Sequence, residues 1–169
     1  MSVCLNAKMT KRGFTIIEAI VAIFVVTTGI VGVLTLVTQT ISSATYSSDK
    51  LIAAYLAQEG IEIIRNIRDT NWLDPANPPW NNGLGVGGYQ ADYNDLSLSA
   101  YTGIPLNLEN PPSNMYGYGL GTPTKFTRKI TISDGPVSVN SLNIKVEVSW
   151  EEKGKPYKVE AQENLYNWK

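Results

Sequence analysis

The chain contains no histidine and a single cysteine, Cys4. The first absence removes the usual general base, the His-based nucleophile triads and the commonest side-chain metal ligand. The second excludes an intrachain disulfide. A lipoprotein cysteine follows an apolar run, whereas Cys4 precedes one. Cationic charge is sparse as well: 14 Lys and Arg stand against 15 Asp and Glu in 169 residues, a net charge of −1. Lys8, Lys11 and Arg12 all fall within residues 1–13, which hold no acid, so the rest is more acidic still. Such a balance offers no phosphate-binding footprint, and no direct nucleic-acid partner is expected. With 43% apolar and 17% charged residues the composition is neither disordered nor collagen-like. The length suits one domain with an appendage.

Charge is scarcest near the N-terminus. From Phe14 to Val37 the only ionisable side chain is Glu18. As a helix this run is about 36 Å long, enough to cross a hydrocarbon core of about 30 Å with some tilt. The basic flank places the N-terminus in the cytoplasm. A cleaved secretory signal fits poorly, because the run is too long, no small-x-small site follows it, and it holds an acid. An uncleaved single-pass anchor accounts for the length and the basic flank but not for Glu18. A carboxylate at the centre of a membrane helix costs about 2.5–3.5 kcal/mol, less near its end, so Glu18 calls for a partner. Gly29 and Gly32 read either as points of close helix packing or as a place where the helix can unwind.

Beyond residue 40 the pattern turns amphipathic. In DKLIAAYLAQEGIEIIRNIRD, Ile52, Leu56, Ile63 and Ile67 recur at helical spacing, flanked by Ala53, Tyr55 and Ile64. Glu59 and Glu62 are expected on the opposite, wet side, with Glu62 in reach of Arg65. Arg65 and Arg68 are expected near the end of the helix, where cations suit the C-terminal dipole. One helix from Phe14 to Asp69 would be about 84 Å long. Residues 70–124 are dense in Pro, Gly and Asn and read as loops and turns with short strands. Trp72, Trp80, Tyr89, Tyr93, Tyr116 and Tyr118 are expected to pin this region by packing on helix or sheet. Residues 125–169 alternate with period two. In KFTRKITIS, Phe126, Ile130 and Ile132 oppose Thr127, Lys129 and Thr131; in NIKVEVSWE, Ile144, Val146, Val148 and Trp150 oppose Lys145, Glu147 and Ser149; Tyr157 and Val159 oppose Lys158 and Glu160. Short turns make this an antiparallel meander with one apolar face, which the helix's stripe would cover. The expected fold is α+β: a leader over 1–13, a membrane or filament-core helix over 14–38, its amphipathic half over 39–69, and a globular domain over 70–169 that is loop-rich over 70–124 and a sheet over 125–169.

The stretch KRGFTIIEAIVAIFVVTTGIVGVL, residues 11–34, resembles the N-terminus of type IV prepilins and type II secretion pseudopilins, whose long-helix-plus-sheet layout also resembles the whole chain. The resemblance implies that a membrane prepilin peptidase cuts between Gly13 and Phe14, after the basic leader residues Lys11 and Arg12, and N-methylates Phe14. It also implies that Glu18 pairs with the terminal amine of a neighbouring subunit. The implied partners are the peptidase and methylase, other pilin subunits, an inner-membrane assembly platform, and membrane lipid before assembly. The implied location is the cytoplasmic membrane and then an extracellular or periplasmic filament. The role so implied is structural rather than enzymatic. Physical chemistry is consistent with the pairing: methylation keeps the amine charged, an α-amino group of pKa about 7.7–8.0 is mostly protonated at neutral pH, and ammonium and carboxylate neutralise each other in an apolar core where either alone is costly. Unlike many major pilins, the chain has no proline near Thr35 and cannot close a C-terminal disulfide. Its YLAQEGIEIIRNIRD stretch and its C-terminus look more like minor pilins of the modification-protein type, or minor pseudopilins. An uncleaved membrane-anchored surface binding protein is the alternative.

Other candidate motifs carry less. Asp92, Asp95 and Asp134 lie in loops without EF-hand spacing and read as solvated turn residues, so no metal is expected. GLGVGG lacks both a clear preceding strand and the lysine of a phosphate loop. No cofactor is expected. The basic residues of KFTRK are expected on the wet face of their strand.

Overall fold

The structure, a computed structural model, describes residues 13–76, 78–137 and 140–168. Among these residues one helix and eight strands make up an α+β architecture: α1 Ile16–Leu73, β1 Gly87–Gln90, β2 Ser99–Ala100, β3 Asn107–Glu109, β4 Tyr116–Gly117, β5 Gly121–Pro123, β6 Thr127–Asp134, β7 Ser141–Glu152 and β8 Lys155–Tyr166. The chain divides into two compact units, Met1–Thr45 and Tyr46–Lys169, and α1 contributes to both.

In the first unit α1 is helix alone. Thr15 caps its start, its hydroxyl accepting a hydrogen bond from the Glu18 N–H at 3.3 Å. The Val, Ile and Thr content disfavours a helix in water. Here, however, hydroxyls close back on the helix: Thr28 donates to Phe24 O at 2.8 Å, Thr35 to Val31 O at 2.9 Å and Thr40 to Leu36 O at 2.8 Å. Groups satisfied in this way can enter lipid without orphaned donors.

In the second unit, residues 46–73 of α1 pack on an antiparallel five-stranded sheet of order β2-β1-β6-β7-β8. The buried helix positions include Ala53, Leu56, Ala57, Gly60, Ile64 and Ile67, which meet the inward residues of β6 and β7: Ile130, Ile132, Ile144, Val146 and Val148. Helix and sheet approach closely at Gly60, where a Cβ would stand 2.7 Å from Val146 Cγ1. The period-two alternation of β6 and β7 is borne out by burial that alternates over Thr127–Ser133 and Leu142–Trp150. A second sheet of order β4-β3-β5 forms within residues 107–123. Strands β1 and β2 join the main sheet from within the Pro- and Gly-rich region, β1 pairing with β6 through Tyr89 and Ile130. They are too short for periodicity to reveal them.

The aromatics pin the loops. Trp80 is buried, Tyr116 packs edge-on to Phe126 at 6.1 Å, and Trp72 packs edge-on to Trp168 at 4.5 Å. Two expectations are corrected. Arg65 and Arg68 do not serve the last turn, because α1 runs on to Leu73 and its last turn holds no cation. Instead Arg65 bridges Glu62 and Glu163, and Arg68 pairs with Asp69 and lies 4.6 Å over the Trp72 ring. Nor do all the basic residues of KFTRK form a wet face. Lys129 does, but Arg128 shares the inward parity of Phe126 and Ile130 and its side chain is 0% exposed.

Candidate functional site

The residues singled out by sequence lie around the start of α1. Lys11 and Arg12 fall outside the described residues. Gly13 and Phe14 precede the helix and have no regular secondary structure. Among the described residues nothing beyond its chain neighbours lies within 4 Å of a Cβ built on Gly13, and Phe14 is 75% exposed. Glu18 sits exposed in the first helical turn. There its carboxylate faces the positive end of the helix dipole, and with the Thr15 cap it forms the Thr-x-x-Glu pattern that starts many helices.

Beyond Glu18 the surface of this first unit is apolar. Ile20, Ile23, Phe24, Ile30, Leu34 and Val37 are all exposed. An 18-residue window of α1 reaches a mean hydropathy of 2.7 with none of it buried. The helix passes Gly29 and Gly32 unbroken, and at Gly29 a notch opens between Val25, Val26, Val33 and Leu34. The notch is the shape close helix packing requires. This segment is long and apolar enough to cross a membrane.

The second unit holds polar clusters that the sequence reading missed. The buried Arg128 reaches Glu59 Oε1 at 2.6 Å and Leu56 O at 3.3 Å through Nη1, and Ala91 O at 2.8 Å through Nη2. Glu59 is therefore not on a purely wet side, since its carboxylate turns inward to the guanidinium. Asp49, buried on α1, takes a 2.6 Å bond from Lys125 Nζ, which also reaches Glu152 at 2.9 Å. The Asp49 hydrogen bond is the main reason the Lys125 ammonium titrates above its usual range. Two signals pointed to the first cluster. Arg128 lies in phase with Phe126 and Ile130, and Glu59 fills the gap in the stripe between Leu56 and Ile63. No comparable signal marks Asp49. Asp92 is spoken for, its carboxylate accepting from the Tyr93 and Tyr118 amides at 3.3 and 3.2 Å. Among the described residues no three His, Cys, Asp or Glu side chains converge as a metal site.

No family model, no curated protein and no solved structure matches this chain.

Proposed function

We propose that the chain is a structural subunit, of the minor pilin or pseudopilin type, of a type IV pilus-like filament. The observation that carries this reading is the first unit's helix: apolar, with no buried residue, with its hydroxyls turned back on its own carbonyls, and with Glu18 as its one charge from Ile16 to Thr45. A surface of that kind needs lipid or other helices around it, and a filament core supplies the latter. Before assembly the subunit sits in the cytoplasmic membrane with its leader inside. A prepilin peptidase cuts the Gly13–Phe14 bond and methylates the Phe14 amine. The assembly platform then moves the helix from lipid into the bundle. The Phe14 ammonium of one subunit neutralises Glu18 of a neighbour, and a subunit out of step would bury an unpaired charge. The product is an extracellular or periplasmic filament.

One observation favours the plain anchor instead. The Glu18 amide is held by Thr15, and an acid in a first turn stabilises its own helix whether or not a second chain is present. Mass spectrometry of the mature N-terminus separates the two readings. N-methylphenylalanine from residue 14 is the expected result, whereas a chain that keeps residues 1–13 overturns the filament reading.

A further inference from the structure

Strand β8 is the outer strand of the five-stranded sheet and, among the described residues, pairs only with β7, over 12 residues. The hairpin determines which of its backbone groups are free. Lys153 and Gly154, with φ of 52° and 75°, make a two-residue mirror-image turn between the paired residues Glu152 and Lys155. The pair closing such a turn exchanges both its hydrogen bonds, so Lys155 and every second residue after it bond to β7. Pro156, Lys158, Glu160, Gln162 and Asn164 then turn their backbone groups to the open edge. Pro156, which lacks an N–H, falls on that open side.

The order of charges along this edge is self-complementary. Consider a second copy of β8 laid antiparallel with Val159 opposite Val159. Lys158 then faces Glu160 of the second copy, Lys155 faces its Glu163, and symmetry repeats both pairs. Lys158 and Glu160 both belong to the open-edge set, so they also exchange backbone hydrogen bonds. Centring the pairing on residue 158 sets lysine against lysine, and centring it on residue 160 sets glutamate against glutamate, both destabilising. Within one chain Lys158 already touches Glu160 at 2.7 Å and Glu147 at 3.2 Å, and Lys145 touches Glu160 at 3.0 Å. Pairing would join two such clusters into one network.

We propose that the edge of β8 is an interaction surface for a second copy of this chain, paired antiparallel about Val159. The charges that keep this edge from unselective strand pairing select this register. The contact is isologous. It reverses the second chain, helix residues 46–73 included, so it joins chains of opposite polarity rather than neighbours in one parallel bundle. It does not depend on the filament reading.

The test uses the full chain with Cys4→Ser in detergent micelles, followed by sedimentation. A dimer is expected, and Lys158→Glu or Glu160→Lys alone should weaken it by about tenfold. An equimolar mixture of those two variants should recover it, because each then supplies the charge the other lacks. A monomer, a dimer indifferent to both reversals, or a mixture no better than its components overturns the pairing. Val159→Cys in the same background, with native charges, should give a disulfide-linked dimer on mild oxidation. If no such cross-link forms, the register is wrong.

Discussion

Arg128 holds Glu59 at 2.6 Å from a side chain with no solvent exposure. The contact ties the sheet to α1, and the same guanidinium reaches Ala91 beyond β1, so three segments meet on one cation. Its Nε has no hydrogen-bond partner. A buried charge whose desolvation is only partly offset contributes modestly as a pair and costs heavily when broken.

Glu59→Ala is therefore predicted to destabilise the second unit by about 2–4 kcal/mol, since it strands the guanidinium. Arg128→Met combined with Glu59→Ala should be less destabilising than the sum of the singles, because neither charge is then left alone. Urea unfolding followed by tryptophan fluorescence measures both effects. Strict additivity would refute the coupling.

Gly60 is a close-approach point between α1 and β7. Alanine is the better helix former by about 1 kcal/mol, yet its methyl would press on Val146 Cγ1 at 2.7 Å in the middle of the sheet. Overpacking of this kind costs about 1–3 kcal/mol. The prediction is a lower melting temperature for Gly60→Ala, with partial recovery when Val146→Ala is added. A raised melting temperature would mean the helix shifts freely.

Thr15 and Glu18 separate helix capping from assembly. If Glu18 acts only by starting α1, Thr15→Ala and Glu18→Ala should have similar, small consequences, on the order of 1 kcal/mol or less. If it receives a neighbour's amine, Glu18→Ala should abolish incorporation into filaments while leaving cleavage after Gly13 intact, and Thr15→Ala should permit both. Immunoblots of sheared filaments and of membranes read the two steps. Equal incorporation of both variants would contradict the assembly role.

Glu160 carries the clearest titration signature. Its hydrogen bond from Lys158, with that from Lys145 next, lowers its carboxyl from 4.5 to about 2. A pKa depressed on folding adds stability that is present above the unfolded value and lost as pH falls through the folded one, here between 4.5 and about 2. The side chain is exposed, so the effect is small and weakens with salt. Carboxyl NMR of Lys158→Met should show the Glu160 midpoint moving up towards 4.5, and an unmoved midpoint would exclude Lys158 as the cause.

Most of the architecture was legible in the residue order. The α1 stripe and the alternation of β6, β7 and β8 each follow from one period repeated over many residues. The short strands β1 and β2 were not legible, because a period needs more than two to four residues to declare itself. At the candidate site, Gly13, Phe14 and Glu18 were named from local order alone.

The sequence by itself determined a charge-poor N-terminal helix, an amphipathic continuation and an antiparallel meander, because hydrophobic periodicity and charge depletion are properties of neighbours along the chain. Only the tertiary structure decided that Arg128 is buried and held by Glu59, that Lys125 meets both Asp49 and Glu152, and that β8 is the open edge. Those partners are separated by 69, 76 and 27 residues. No local pattern encodes such pairings; they arise when the helix and sheet exclude water between them and each buried charge takes whichever partner the packing brings within reach.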